Sequence, residues 1–316
     1  MKKCTLVILL ILTIIISGCN NKININNKDN NKNNIENSKI SNSKKDKEQI
    51  KLDILVSNKF LYDCVKKIDK GIHKVDYIFN KKGEQIYVNY YYDISYVPDI
   101  FIYDEFNFSN LNNSYISRIE GNKVGIINSS RGANPLSYYK NVDKYGKGEE
   151  CIFWNNIDNY KVVLVNVKNA IVERDPLNRS YYEKNFKESL KELEDYEKIF
   201  KKQGEGVKEH LFIVEGNSLD YIMAYSGLKT VSIDENIEKS KELDLNKIIE
   251  EKYEKNKDKM VLVYFSNDFL SKNKEFIAKY GVKCVKVSNF NISAEYDKVL
   301  DYEKKLFSTL VNICTK

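Results

Sequence analysis

Apolar and polar positions follow two periods along most of the chain, one typical of buried strands and one of amphipathic helices. Short apolar runs such as residues 52–57 (LDILVS), 99–103 (DIFIY) and 260–265 (MVLVYF) predict buried strands. The stretches between such runs, for example residues 59–69, place apolar side chains three or four positions apart and predict helices. Strands that alternate with helices in this way predict a doubly wound parallel sheet.

This alternation occurs twice, so the predicted fold is α/β with two doubly wound parallel-sheet lobes. The predicted strands span residues 52–57, 74–79, 99–103, 123–128, 211–214, 229–233, 260–265 and 282–287. The predicted helices outside the centre of the chain span residues 59–69, 111–119, 156–171, 218–225, 245–253, 269–280 and 295–313. The domain boundaries that follow are an N-terminal lobe at 51–172, a joining helix at 173–204 and a C-terminal lobe at 205–316.

Residues 175–202 predict one long helix between the two halves. Asp175 suits the N-cap, and Pro176 suits the first helical position, where its missing N–H costs nothing. One apolar stripe runs along it, formed by Tyr182, Phe186, Leu190, Leu193, Tyr196 and Phe200. At ~1.5 Å per residue the helix spans roughly 40 Å, longer than a small lobe is wide. The pattern alone fits a spine between two lobes and an ordinary long surface helix about equally well.

The first residues predict an export signal. Lys2 and Lys3 precede a pure apolar run, residues 6–16, which is too short to span a bilayer and is typical of a signal peptide at 1–18. The run ends in Ile-Ser-Gly-Cys, which resembles the bacterial lipobox and predicts that Cys19 is diacylated. Two acyl chains give stable membrane anchoring. The alternative is a chance cysteine after an ordinary export signal.

Residues 20–50 are dominated by Asn, Lys, Ser, Ile, Asp and Glu and contain no aromatic residue. Such a composition buries too little apolar surface to fold, so residues 19–50 predict a lipidated cysteine followed by a disordered tether. The tether would hold the folded body on the extracytoplasmic face of the cell membrane.

Charge and cysteine content exclude several function classes. The net charge is +6, yet only four basic residues are Arg and acidic residues are interleaved with the lysines, so nucleic-acid binding is not expected. The cysteines beyond the signal region, Cys64, Cys151, Cys284 and Cys314, form no C-x-x-C pair. They fit isolated thiols better than a disulfide framework. Because no nucleophile–base pair or phosphate loop stands out, the chain is predicted not to be an enzyme.

Three sequence blocks carry a resemblance to a known family. They are Trp154…Asn159-Tyr160-Lys161-Val162-Val163…Asn166…Ala170-Ile171, then Asp175-Pro176-x-Asn178…Tyr181-Tyr182-x-x-Asn185, then Phe212-Ile213-Val214…Tyr221-Ile222…Gly227-Leu228. Over roughly residues 51–313 the chain resembles the solute-binding lipoproteins of zinc- and manganese-type ABC importers, also called metal-binding surface adhesins. The resemblance implies two lobes joined by one long helix, with the ligand in the cleft between them. It therefore favours the spine interpretation.

The metal ligands depart from the family pattern, which typically supplies three histidines and one carboxylate. The chain has two histidines in all. The family's ligand positions fall on residues 85–89, Cys151 or Ile152, Gly216, and the pair Ser288-Asn289. His73 and His210 stand at the starts of predicted strands, so both are predicted to be surface residues far from a cleft formed by strand carboxyl ends.

Oxygen-bearing side chains follow the predicted strands instead. The candidate cleft residues are Asp104, Glu105, Glu150, Cys151, Trp154, Glu215, Asn217 and Asp268. Convergent carboxylates suit a hard divalent cation such as Mn²⁺, Ca²⁺ or Mg²⁺. The alternative for each acid is a loop or helix cap, which suits Asp268 and Asn217 well. Tyrosines between 87 and 96 would line an organic-ligand cleft or, the favoured alternative, pack an irregular ribbon.

Two functions follow from the resemblance. The first is a lipid-anchored solute-binding protein that delivers a divalent metal to an ABC permease, with non-standard or lost metal ligands. The second is a family member without metal binding, which acts as an adhesin-like lipoprotein toward a surface partner or binds a non-metal ligand.

Overall fold

Two four-stranded parallel sheets organise the part of the chain that the structure describes. The first contains β1 (Asp53–Val56), β2 (Lys74–Tyr77), β3 (Ile100–Tyr103) and β4 (Gly125–Asn128) in the order β2-β1-β3-β4. The second contains β5 (Leu211–Glu215), β6 (Lys229–Ile233), β7 (Met260–Tyr264) and β8 (Lys283–Lys286) in the order β6-β5-β7-β8. All neighbouring strands pair in parallel, so the predicted fold class is confirmed.

Helices connect and cover these strands. They are α1 (Lys59–Asp69), α2 (Asn110–Ile119), α3 (Ile157–Arg174), α4 (Arg179–Glu205), α5 (Asp220–Tyr225), α6 (Leu245–Lys252), α7 (Asn267–Lys272), α8 (Lys274–Tyr280) and α9 (Tyr296–Thr315). Short 3₁₀ turns occupy Phe153–Asn155, Pro176–Asn178 and Glu254–Lys259. We call β1–β4 with α1–α3 the first lobe, α4 the spine helix, and β5–β8 with α5–α9 the second lobe.

The structure is a computed structural model that describes residues 50–77, 96–106, 110–136, 152–233, 245–288 and 296–315, all of which belong to the unit Gln49–Lys316. The predicted signal peptide, Cys19 and nearly all of the tether lie outside the described residues. Within the described ranges, no helix combines the length and apolar character needed to cross a bilayer.

One continuous apolar core connects both sheets to the spine helix. Ile54 of β1 and Phe212 of β5 belong to the same buried cluster as Leu193 and Phe200 of α4. Side chains alternate between the two faces of a strand, so the residues next to Ile54 and Phe212 point away from this core. Leu55 therefore lies in a separate small cluster on the outer face of the first sheet, and the second sheet has an equivalent outer cluster.

The spine helix begins later than the sequence predicts. Residues Pro176–Asn178 form a 3₁₀ turn, and α4 starts at Arg179 and continues for 27 residues. Asp175 makes no capping hydrogen bond to the following backbone. Its carboxylate instead accepts hydrogen bonds from the side chains of Asn178 and Tyr182, at 2.7 and 2.6 Å. Asp175 therefore stands at the predicted N-cap position, with Pro176 first in the turn, but its carboxylate bonds side chains and caps no backbone N–H.

The buried face of α4 also differs from the predicted apolar stripe. Asn185 and Ser189 are buried, whereas Phe186 and Leu190 are half-buried. Asn185 Nδ2 donates a hydrogen bond of 2.8 Å to the carbonyl of Ile68, in the last turn of α1. Small and polar residues on this face let α1 approach closely and satisfy a carbonyl that the end of α1 leaves unpaired.

The predicted helix at residues 269–280 is interrupted. It consists of α7 and α8 with Asn273 between them. The Asn273 side chain donates a hydrogen bond of 2.8 Å to the carbonyl of Phe269, and its backbone N–H bonds the same carbonyl at 3.3 Å. Side-chain bonding of this kind competes with the helical backbone pattern and ends α7.

The contact between the spine helix and the second lobe gives a stability prediction. Gly204 is buried in the last turn of α4, and a Cβ there would lie 2.7 Å from the Ser226 carbonyl oxygen. We expect Gly204→Ala to lower the free energy of unfolding by about 1–3 kcal/mol through overpacking. Gly206→Ala is the matched control, since its Cβ would come no closer than 3.4 Å to another group. Urea unfolding of both variants measures the difference, and equal stabilities would contradict the close contact.

Candidate functional site

Polar side chains collect at the carboxyl edge of the first sheet, where parallel strands bring their ends together. Ser57, Asp104, Ser129 and Ser130 follow β1, β3 and β4 and are all buried, with Asp104 only 1% exposed. Asn58 Nδ2 donates a hydrogen bond of 2.6 Å to Asp104 Oδ2, while its Oδ1 caps α1. The carboxylate of Asp104 is therefore held at the junction of two strands.

Glu105 is exposed beside this edge and is tied to the end of β4. Its Oε2 accepts a hydrogen bond of 2.6 Å from Asn128 Nδ2, and its backbone N–H donates to Ser130 Oγ at 3.0 Å. Ser130 Oγ donates in turn to Asn128 Oδ1 at 2.7 Å. These contacts orient an exposed carboxylate next to the buried one.

Glu215 has a different role in the second lobe. Its Oε2 accepts hydrogen bonds from the backbone N–H groups of Phe265 and Ser266, at 2.5 and 2.9 Å. Its Oε1 accepts from Ser266 Oγ at 2.6 Å, and that hydroxyl also caps α7. Both carboxylate oxygens are thus committed to the loop that joins β7 to α7. Glu215 stabilises the carboxyl edge of the second sheet from within the lobe.

Asp268 and Asn217 lie near the same edge. Asp268 is exposed in the first turn of α7 and forms an ion pair of 2.8 Å with Lys272, one helical turn later. Negative charge in a first turn stabilises the helix, so this placement agrees with the capping alternative. Asn217 is half-buried, and its backbone carbonyl accepts a hydrogen bond from the N–H of Asp220 at 3.0 Å.

Trp154 packs in the core of the first lobe. Its ring stacks on Phe60 with centroids 4.4 Å apart and an interplanar angle of 11°, and it meets Phe153 edge-on at 5.2 Å. The side chain is buried in the central cluster. The structure therefore places this cleft candidate within the core of the first lobe.

His73 lies at the opposite, amino edge of the first sheet, and the prediction that it is a surface residue is wrong. The side chain is buried, and Nδ1 accepts a hydrogen bond from the Leu52 N–H at 3.3 Å. Nε2 lies 2.8 Å from Tyr182 Oη, which donates its proton to Asp175 Oδ2 at 2.6 Å. Nε2 must therefore carry the imidazole proton and donate to Tyr182. Burial lowers the pKa of His73, in agreement with a neutral ring.

His210 precedes β5 and so lies at the amino edge of the second sheet. The side chain is half-buried, and burial lowers its pKa as well. A five-residue strand spans roughly 16 Å. Both histidines of the chain are therefore separated from the polar carboxyl edges by the length of a strand.

Comparison with known proteins identifies the family. The family model described as the periplasmic component A of the zinc-uptake complex, ZnuA, matches residues 98–303. The chain belongs to this family. The resemblance predicted from the sequence is thus confirmed. Since members of the ZnuA family are non-catalytic components of metal transport, the prediction that the chain is not an enzyme is confirmed too.

Individual relatives are similar to different extents. The high-affinity zinc uptake system protein ZnuA of Bacillus subtilis (strain 168) is 35% identical over 68 residues, which span 22% of this chain and about a fifth, 21%, of that protein. The crystal structure of the laminin-binding protein Lbp of Streptococcus pyogenes aligns with a TM-score of 0.58 and 16% identity, covering 83% of this chain and 99% of Lbp.

A second solved structure has the same fold. The metal-dependent lipoprotein YcdH from Bacillus subtilis aligns with a TM-score of 0.57 and 21% identity, covering 84% of this chain and all of YcdH. At these identities the likeness establishes the two-lobed fold and leaves ligand chemistry to the residues themselves.

Only some of the positions at which the resemblance expects metal ligands, histidine or carboxylate, fall on described residues. Residues 85–89 and Asn289, together with the candidates Glu150 and Cys151 and the tyrosines from 87 to 92, lie outside the described residues. Gly216 is described and has φ +69°, a left-handed conformation that strains any side chain other than glycine's. Among the described residues, no group of three or more His, Cys, Asp or Glu is arranged to hold a metal ion.

The thiols in the described ranges are separate from one another. Cys64, Cys284 and Cys314 are free, and burial raises the pKa of each. Cys64 is fully buried in the central core. Apolar packing of this kind keeps a thiol unreactive.

Sequence reasoning missed the supporting polar residues at the first sheet. Ser57 and Asn58 follow β1 directly, and Ser129 and Ser130 follow β4. The sequence signal that could have identified them is a pair of small polar residues directly after an apolar run. It marks strand ends that need side-chain hydrogen bonds.

Removing the charge of Glu215 tests its scaffold role. Glu215→Gln places an amide N–H₂ among three donors, so we expect the free energy of unfolding to fall by about 1–3 kcal/mol in the absence of metal. Glu105→Gln is the control, because an exposed carboxylate with one side-chain donor should change stability by about 0.5 kcal/mol or less. Urea unfolding after chelator treatment gives both values. A Glu215→Gln variant as stable as the wild type would show that the carboxylate is free for another role.

The buried imidazole predicts acid sensitivity. Because the folded-state pKa of His73 is lowered, the unfolded chain binds a proton more readily as the pH falls. Its contribution to stability is therefore complete above the unfolded pKa of about 6.5 and is lost as the pH falls below that value, by up to about 1.4 kcal/mol per pH unit. We expect His73→Gln to flatten the pH dependence of urea unfolding between pH 7 and 5. Burial lowers the pKa of His210 too, so His210→Gln measures the separate contribution of the second histidine. An unchanged slope in His73→Gln would contradict the prediction.

Proposed function

We propose that this chain is a lipid-anchored solute-binding protein on the extracytoplasmic face of the cell membrane, which delivers a divalent cation to an ABC permease. Family membership supports the transport role, since the matching model describes a periplasmic component of zinc uptake. The names of the relatives point the same way: one is a zinc uptake protein, and one is a metal-dependent lipoprotein. The lipobox-like sequence ending at Cys19 supports the anchor.

The ligand set we propose is based on oxygen. The two histidines of the chain stand at the amino edges of the sheets. Neither can therefore act as a metal ligand at the carboxyl edges. The observation that carries the proposal is the buried carboxylate of Asp104, held at the end of β3 by Asn58. Buried carboxylates are retained where they are paired or bind a metal.

The remaining ligands would come from neighbouring oxygens and from the second lobe. Glu105 is the adjacent carboxylate, and Asn217 and Asp268 stand at strand ends of the second sheet. Glu150 and Cys151 remain sequence-based candidates. Oxygen ligands favour Mn²⁺, Ca²⁺ or Mg²⁺ over Zn²⁺. Glu215 is assigned to the scaffold, because its oxygens already accept three hydrogen bonds.

A second candidate function is an interaction lipoprotein that binds no metal. It is favoured by Gly216, which occupies a family histidine position in a backbone conformation suited to glycine. One structural neighbour is named a laminin-binding protein, so a surface partner is the corresponding proposal here. A non-metal ligand held by tyrosines is the remaining form of this candidate.

Metal binding is tested on the mature chain with Cys19→Ser, stripped with a chelator. We expect one of Mn²⁺, Ca²⁺, Mg²⁺, Fe²⁺ or Zn²⁺ to raise the melting temperature, since saturation at 100 times Kd stabilises by about 2.7 kcal/mol. Mass spectrometry of the metals should find one ion per chain. Asp104→Asn should lose both effects, whereas the control Glu173→Gln, at the far end of α3, should keep them.

Other outcomes separate the two candidates. If the metal still raises the melting temperature of Asp104→Asn, the metal site does not lie at the carboxyl edge of the first sheet. An absence of any shift and of any retained metal would overturn the cation-carrier proposal and leave the interaction lipoprotein.

A further inference from the structure

Exposed apolar side chains gather at one edge of the molecule. Five large hydrophobic residues in the described ranges are well exposed, and four of them lie at the amino edge of the first sheet. These four, which we call the amino-edge patch, are Ile50, Val97, Leu177 and Tyr181, with exposures from 38 to 61%. The fifth, Val165, lies within α3 and is 38% exposed. Clustering of this kind marks an interaction surface, whereas single exposed residues do not.

Strand pairing brings the first two members together. Ile50 precedes β1 and Val97 precedes β3, and these strands are neighbours that pair Ile54 with Ile100. The pairing continues toward the amino ends, where the Asp99 N–H donates to the Asp53 carbonyl at 2.9 Å. The residues just before both strands therefore leave the sheet side by side.

Contacts of the α3–α4 junction place the other two members at the same edge. Tyr182 and Asp175 meet His73, which directly precedes β2. Leu177 stands two residues after Asp175, and Tyr181 is adjacent to Tyr182. The side chains of Leu177 and Tyr181 point into solvent, with exposures of 61 and 38%.

Several charged groups at this edge are already paired within the protein. Lys74 forms an ion pair of 2.8 Å with Asp53, and Arg179 lies 3.8 Å from Glu183. Arg174 donates to the Lys123 carbonyl at 3.1 Å. Exposed charged residues, among them Lys51, Asp99 and Lys123, stand at the same edge, so the surface that it offers a partner combines apolar side chains, one aromatic ring and charged groups.

The chain itself indicates what covers the patch. Ile50, a member of the patch, is the last residue of the predicted tether, and Cys19 lies 31 residues upstream of it. If residues 20–49 form the tether that the sequence predicts, a segment of that length has a root-mean-square span of roughly 30 Å. If Cys19 is anchored in the bilayer, the chain that leads to it leaves the body at the amino edge, which limits how far this edge can move from the membrane. Tethering raises the effective concentration of a weak contact to about the millimolar range.

We propose that the amino-edge patch rests on the lipid headgroup layer of the membrane that anchors the chain. This inference rests on the lipid anchoring in the proposed function. Tyr and aliphatic side chains suit the boundary between headgroups and acyl chains. The carboxyl edge of the first sheet, with Asp104, then points away from the bilayer while the patch is seated. Docking onto a permease would require the body to leave this position.

Quenching by brominated lipid tests the contact in the full lipidated chain, bound to phosphatidylcholine vesicles with brominated acyl chains. Leu177→Trp reports on the patch, and Val165→Trp is the matched control, roughly 14 Å along α3 from its end. The native Trp154 is buried and contributes the same background fluorescence in both variants. We expect the tryptophan introduced by Leu177→Trp to be quenched at least twofold more than the one introduced in the control. The quenching should persist in 1 M salt, because the contact is apolar.

The possible failures are distinguishable. Vesicle co-flotation that disappears in Cys19→Ser, combined with equal, weak quenching in both tryptophan variants, would overturn the patch contact and leave the anchor standing. If the wild-type chain does not co-float with vesicles, both the lipid anchor and the patch contact are overturned. Tyr181→Trp, a milder change in the same patch, provides a second reporter that must agree with Leu177→Trp.

Discussion

Burial of the spine helix against both sheets is the interaction on which the rest of the structure depends. Leu193 and Phe200 of α4 share one continuous core with β1 of the first lobe and β5 of the second. Neither lobe could be removed from this core without exposing a large apolar area to water. The two lobes are thus parts of one cooperative body. Their carboxyl edges are free to carry polar chemistry, because the core supplies the stability elsewhere.

An ionic junction reinforces the same arrangement on the outside. Lys67 Nζ lies 2.9 Å from both Glu192 and Asp297, so it connects α1, the spine helix and α9. Burial opposes the charge of this lysine, but hydrogen bonds to the two carboxylates outweigh burial and raise its pKa. Because Asp297 belongs to the second lobe and Lys67 to the first, any change in the angle between the lobes alters this junction.

The periodicity of the sequence was enough to predict the strands, most helices and the two-lobed α/β fold, because each element buries one face or both. What it could not predict are contacts between distant residues. His73 is buried by Tyr182, which is 109 positions away, and the same network draws the Asp175 carboxylate from the helix cap. At the site, the strand ends were predictable, but the binding of both Glu215 oxygens to the β7–α7 loop depends on a sheet register that no local pattern reveals.

The polar edges of this ZnuA-family fold keep their shape through contacts that involve no histidine. Glu215 is satisfied by the β7–α7 loop, and Asp104 is oriented by Asn58, so these edges hold their shape through internal hydrogen bonds. A binding site built on such a scaffold adds ligands without being needed for folding, and its ligands can change while the scaffold persists. Gly216, in a left-handed turn, shows one position where the local backbone suits glycine better than a ligand. Under the proposed function, the fold constrains where a cation would bind, and the oxygen atoms at the strand ends would decide which cation it is.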